Sequence, residues 1–141
     1  MNLQANDKTR IKLNFDLLPE PLTVEVSKYN EFLQKITLTY RNVTVSEKHD
    51  EFLSNINSFV DNCFTEQSKH KKSMLSVFYL LTGILIENHC EELKYGFQLT
   101  FKSGITMGAG LGSSASFGVC VAAVFSFYSR FLLRSHYVFT F

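Results

Sequence analysis

The sequence reads as an α+β domain, on three observations. Two N-terminal runs, Ile11 to Phe15 and Leu22 to Val26, alternate apolar and polar residues with the period of a strand. Residues 52–85 repeat apolar residues at helical spacing, and a further alternating run at 95–101 feeds a glycine-rich stretch and another apolar helical run. At 141 residues, 45% apolar and 19% charged, the chain has the length of one ordinary domain and enough apolar residues to bury a core. A disordered tail and a disulfide-dense miniprotein are thereby excluded.

The elements follow in order. Ile11, Leu13 and Phe15 alternate with Lys12 and Asn14, the pattern of a half-buried strand. Leu18-Pro19-Glu20-Pro21 then breaks it, because proline cannot supply a ladder N–H. Leu22, Val24 and Val26 resume the alternation, so both runs are expected in one sheet. Ile36, Leu38 and Tyr40 predict a third extended piece, continued by Val43 and Val45. From Ser46 the period changes. Phe52, Leu53, Ile56, Phe59, Val60 and Phe64 fall on one helical face, with Ser46 as the expected N-cap and Glu47, Asp50 and Glu51 near the positive end of the dipole. Ser68-Lys69-His70-Lys71-Lys72 reads most simply as a solvated connector between helices, with phosphate binding as the alternative. Met74, Leu75, Val77, Phe78, Leu80, Leu81, Ile84 and Leu85 form a second helix, apolar on most sides and hence deeply buried, ended by Glu87-Asn88-His89. Tyr95, Phe97, Leu99 and Phe101 alternate with Gly96, Gln98 and Thr100 as a strand.

Composition narrows the function classes. Fourteen Lys and Arg against thirteen Asp and Glu give a net charge of +1, no reason to expect a nucleic-acid partner. The charge is unevenly spread: Glu92 is the last acidic side chain, and residues 93–141 hold Lys94, Lys102, Arg130 and Arg134 without any Asp or Glu. Cys63, Cys90 and Cys120 are odd in number and lack C-x-x-C spacing, which argues against a disulfide framework and a zinc ribbon. His49, His70, His89 and His136 form no metal-binding pair. The polar start, Met1 to Asp7, lacks the apolar core of a signal peptide, so the Asn42-Val43-Thr44 sequon carries no weight and the expected compartment is the cytoplasm. Residues 103–129 are uncharged, but five glycines and six serines interrupt them, so a buried core helix is expected there and not a membrane span.

The stretch with chemistry is Gly108-Ala109-Gly110-Leu111-Gly112-Ser113-Ser114-Ala115, placed between the strand and the helical run of Phe117, Val119, Val121, Ala122, Val124 and Phe125. Three glycines permit positive φ and the close approach of a bulky anion. The N–H groups of the first helical turn lack intrahelical acceptors and attract that anion together with the helix dipole. The two serine hydroxyls can donate to phosphate oxygens or ligate Mg²⁺. No lysine completes a Walker A loop, the Rossmann spacing is not met and no ribose-binding acid follows, and no G-x-S-x-G elbow is present.

Those residues, with Val119-Cys120-Val121-Ala122-Ala123 after them, resemble the phosphate-binding motif of the GHMP small-molecule kinases, and within that superfamily are most similar to the mevalonate kinases. The resemblance implies the α+β N-terminal domain of GHMP kinases, related in architecture to the second domain of ribosomal protein S5 and here incomplete. It implies ATP and Mg²⁺ as cofactors and a small hydroxy acid, mevalonate, as substrate. Gly108, Ala109, Gly110, Leu111, Gly112, Ser113 and Ser114 would wrap the triphosphate, Ser114 would ligate Mg²⁺, and Ser103 matches a nucleotide-contacting serine. A homodimer is implied for the full-length family.

Departures accompany the likeness. Met107 stands where the family usually has proline, which loosens the approach to the loop. The family's opening strand with its lysine and G-E-H-A-V-V-like segment, its later magnesium-binding glutamate and catalytic aspartate, and its C-terminal domain have no counterpart over residues 1–141. Residues 131–141 do not resemble the family. The expectation is therefore a partial mevalonate kinase-like domain with no catalytic residue of its own, inactive alone. The alternatives are a non-catalytic nucleotide-binding or interaction module, and another GHMP kinase such as homoserine kinase. A missing first strand would leave a sheet edge unpaired and apolar helices exposed.

Overall fold

A computed structural model describes residues 9–15, 20–43, 45–64, 70–101, 121–123, 125 and 137–140. The alternating runs become strands β1 (Arg10–Phe15), β2 (Leu22–Glu25) and β3 (Phe97–Phe101), and a fourth, β4 (Tyr137–Thr140), joins them. Their order is β2-β1-β3-β4. β1 and β2 are antiparallel, with Ile11 opposite Val24, while β1 and β3 are parallel, with Leu13 opposite Leu99 and Phe15 opposite Phe101. That register aligns the buried sides of the two strands: Ile11, Leu13 and Phe15 meet Phe97, Leu99 and Phe101 in the core. On the opposite side of the same pair, Asn14 Nδ2 donates to Thr100 Oγ1 at 3.2 Å.

Three helices supply the rest of the core: α1 (Val26–Thr39), α2 (His49–Cys63) and α3 (Lys71–Glu87). α2 and α3 lie where the helical period puts them. Phe52, Ile56, Phe59 and Val60 are the buried face of α2, and Met74, Val77, Phe78, Leu81 and Leu85 that of α3. α3 ends at the predicted place. His89 adopts φ 57°, in the left-handed region, while Asn88 Nδ2 donates to the Ile84 carbonyl at 2.8 Å.

α1 corrects the third predicted strand. Val26, Tyr29, Leu33, Ile36 and Tyr40 are all buried and spaced by three or four residues, so one side of a helix accounts for them, whereas Leu38, the middle of the expected alternation, is 64% exposed. The alternation of Ile36, Leu38 and Tyr40 was coincidental. Val26 likewise opens α1 instead of closing a strand, with Glu25 as its N-cap. Val43 lies in a turn and Val45 begins a short 3₁₀ helix, Val45–Lys48. Ser46 sits inside that helix, and Lys48 is the N-cap of α2 without any side-chain capping bond. The dipole reading holds for Asp50 and Glu51, which occupy the first turn of α2.

Two polar contacts fasten these layers. Tyr29 Oη and Thr82 Oγ1 lie 2.7 Å apart in the core, joining α1 to α3. Asn30 accepts from the Leu93 N–H and donates to the Leu93 carbonyl, both at 2.8 Å, so its amide acts as a stretch of strand for the segment leading into β3. At the other end of that segment, a Cβ on Gly96 would collide with the Arg10 carbonyl, so only glycine lets the starts of β1 and β3 come together. β4 was not legible in the sequence. It pairs in parallel with β3, Phe97 opposite Tyr137 and Leu99 opposite Phe139, and so covers the side of β3 away from β1. Among the described residues, Leu38 and Leu53 are the large apolar side chains left exposed, and the apolar faces of the helices are otherwise covered.

Candidate phosphate-binding connection between β3 and β4

β1, β3 and β4 run in parallel, so their carboxyl ends share one edge of the sheet. A chain joining two parallel strands must leave the first at its carboxyl end and enter the next at its amino end. The connection therefore leaves at Phe101 and arrives at Tyr137. In open sheets of this kind, ligands bind outside the carboxyl ends of the strands, where helix N-termini also gather.

The anchors of the connection are described on both sides of the glycine run. Phe101 is buried at the end of β3. Residues 121–123 and 125 are helical, Val121 and Phe125 are fully buried, and the Phe125 ring meets Phe97 edge-on at 5.6 Å and 70°. β3 and the helical residues 121–123 and 125 thus fall where the sequence predicts a strand and a helix, while residues 117–120 of that helix lie outside the described ones. Ser103, Gly108, Ala109, Gly110, Leu111, Gly112, Ser113 and Ser114, the predicted nucleotide and magnesium contacts, lie outside the described residues.

At the carboxyl edge the rings of Phe15 and Phe101, terminal residues of β1 and β3, stack at 5.0 Å and 12°. His70, the residue before α3, stacks on the other partner of that pair, Phe15, at 4.6 Å and 11°. The start of α3 is therefore drawn to the edge from which the glycine-bearing connection departs. The sequence predicts a solvated connector over residues 68–72, with phosphate binding as the alternative, and residues 68 and 69 lie outside the described ones. The structure divides it: Lys72 is exposed, Lys71 Nζ binds Asp61 Oδ1 of α2 at 2.8 Å, and His70 turns into the stack. Nothing in the basic pattern of residues 68–72 marks His70 as different, which is why the sequence did not reveal it.

The other titratable groups lie on the helices. Burial pushes the Tyr29 phenol far up and raises Tyr40 and Tyr79 as well, keeping all three neutral. Cys63 and Cys90 are free, and burial raises both thiols, which keeps them protonated and poor nucleophiles. His49 Nδ1 and Tyr79 Oη lie 2.8 Å apart at the surface. Among the described residues, no three His, Cys, Asp or Glu side chains gather as a metal site, and no helix is long and apolar enough to cross a membrane. A groove of about 470 Å³ opens between α1 and α2 over Phe32 and Phe59, with Lys28, Lys35 and Cys63 on its walls.

Residues 79–135 match the family model of the GHMP kinases N terminal domain. The match covers less than half of the chain, yet it takes in the later turns of α3, all of β3, the whole glycine run and the helical residues after it. It supports the GHMP kinase superfamily, and with it phosphoryl transfer from a nucleotide as the general chemistry, without selecting one branch of the superfamily. No curated protein and no solved structure matches the chain.

Proposed function

We propose that residues 97–125 form the ATP-phosphate cradle of a mevalonate kinase-like phosphotransferase. The observation that carries this reading is the glycine-serine run between β3 and the helical residues that bury Val121 and Phe125, inside the span that matches the GHMP kinase domain. The donor set suits a triphosphate: glycine N–H groups that a bulky anion can approach, followed by two hydroxyls. Gly108 to Ser114 bind the phosphates, Ser114 holds Mg²⁺ and Ser103 touches the nucleotide. Bound Mg·ATP supplies the phosphoryl group for in-line transfer to a mevalonate hydroxyl. This chain's part is to orient the phosphates and spread their negative charge over backbone N–H groups.

Residues 93–141 hold no carboxylate. They offer neither a base for the substrate hydroxyl nor an acidic partner for Mg²⁺, so the chain alone binds nucleotide without efficient turnover. That absence also favours a second reading, a nucleotide-binding module with no catalytic role. The working compartment under either reading is the cytoplasm. Titration with Mg·ATP and assays with mevalonate and with homoserine as acceptors test these proposals. Binding without transfer fits the cradle reading, and enzyme-like phosphorylation by the isolated chain contradicts its inactivity. Transfer to homoserine in preference to mevalonate moves the assignment to the homoserine kinases.

A further inference from the structure

We propose that the groove between α1 and α2 is a binding site for a flat aromatic carboxylate, seated on the Phe32–Phe59 ring pair with its charge at Lys28. The site is independent of the glycine run, because its lining residues all precede residue 79, where the family match begins.

The floor is aromatic and fixed. Phe32 of α1 and Phe59 of α2 stack at 4.5 Å and 29°, and Phe59 is itself held edge-on by Phe78 of α3 at 5.3 Å. Phe59 and Ile36 are buried while Phe32 is only half-buried, so part of its ring is open to a ligand. A flat π-system extends that ring pair by offset or edge-on contact. The charge is one-sided. α2 lines the groove with the uncharged Asn55, Ser58 and Asn62, and the charged residues Lys28, Glu31 and Lys35 all come from α1. Glu31 and Lys35 pair with each other at 3.8 Å. No ion pair among the described residues holds Lys28, which donates a hydrogen bond to the Cys63 thiol on the opposite wall. One cation thus remains for one carboxylate, beside the amide of Asn62. The size selects a small molecule. About 470 Å³ falls within the range of small-molecule pockets. The lining runs along roughly 12–16 Å of helix, enough for two fused rings and too short for the ~800 Å² per partner of a stable protein interface.

The test titrates the full chain with 2-naphthoate and with its neutral counterpart 2-naphthylmethanol. Binding is read by two-dimensional NMR and by the rate at which iodoacetamide alkylates Cys63, resolved by peptide mass spectrometry. The carboxylate is expected to bind saturably with a Kd on the order of 1 mM. At saturation it should slow Cys63 alkylation at least about fivefold and leave Cys90 unchanged. The alcohol should bind about three- to fivefold more weakly, and Lys28→Met should remove that preference while both compounds still bind. Ser58→Trp, at an exposed position on the wall, fills the groove and should abolish binding of both. The proposal is overturned if the wild type does not bind 2-naphthoate, or if binding leaves Cys63 alkylation unchanged. It is equally overturned if Lys28→Met keeps the preference for the carboxylate, or if Ser58→Trp still binds. A Cys63 that resists alkylation in the free chain overturns it too, since another segment or a second copy then fills the groove. None of these readouts involves Mg·ATP, so the cradle reading stands or falls separately.

Discussion

Tyr29 is fully buried, and its hydroxyl is matched by Thr82 at 2.7 Å. Burial raises its pKa above the ordinary value of 10.0, so folding favours the neutral phenol. Stability from this group is fully present below the unfolded pKa and declines as pH rises past about 10, because the unfolded chain then gains from ionisation. Alkaline denaturation should therefore begin near that pH, and Tyr29→Phe should flatten the decline while costing about 1–3 kcal/mol at neutral pH through the orphaned Thr82 hydroxyl. Melting curves from pH 7 to 11 check both. Two glycines give opposite expectations. A side chain at Gly96 meets the Arg10 carbonyl, whereas one at Gly83, inside α3, meets nothing within 4 Å. Gly83→Ala should stabilise the chain by about 0.5–1 kcal/mol through helix propensity, and Gly96→Ala should destabilise it by about 2 kcal/mol or more. Denaturant midpoints that move in the same direction for both would contradict this assignment.

At the scale of elements, strands and helices with one strong period were legible, and those with a competing pattern were not. β1, β3, α2 and α3 carry their buried residues at one spacing each, so the sequence located them within a few residues. α1 carries two patterns at once, since Ile36, Leu38 and Tyr40 also satisfy the strand period, and only burial of Tyr29 and Leu33 beside them decides for a helix. The cap of α2 at Lys48 has no side-chain bond, so no capping residue could announce it. Asn30 shows how an unremarkable surface-type residue can fix an element. Its two bonds to Leu93 tie α1 to the lead into β3. Asn30→Ala should cost about 1–3 kcal/mol, because both backbone groups of Leu93 lose their partner, and Asn30→Asp should also destabilise at neutral pH, because it keeps the bond from the Leu93 N–H but sets a carboxylate oxygen against the Leu93 carbonyl. Urea unfolding of the two variants checks both, and equal stability of Asn30→Ala and wild type would remove this role.

At the scale of the molecule, the sheet order β2-β1-β3-β4 could not be read from periodicity, since it depends on which strands pair and in which direction. β4 escaped because the sequence of residues 137–140 lacks alternation and continues an aromatic tail, and because its role comes from the neighbour that it meets, β3. The proposed site rests on chemistry alone: glycine spacing and two serines after a strand suggest an anion cradle without any knowledge of topology, and those residues lie outside the described ones. The sequence did not show that three parallel strands and the start of α3 share the edge where this connection begins, because that follows only from the register of β1 with β3 and the stack on Phe15.

The central claim is that the glycine run binds the phosphates of a nucleotide. Calorimetric titration of the folded chain with Mg·ATP, alongside Gly112→Val and Ser114→Ala, tests it most directly. The valine places a branched side chain where an anion must approach the backbone, so binding should fall at least about tenfold with little change in melting temperature. The alanine should weaken Mg·ATP more than ATP in the presence of EDTA, as loss of a metal ligand requires. A wild-type chain that binds no Mg·ATP, or a Gly112→Val chain that binds it equally well, would contradict the account.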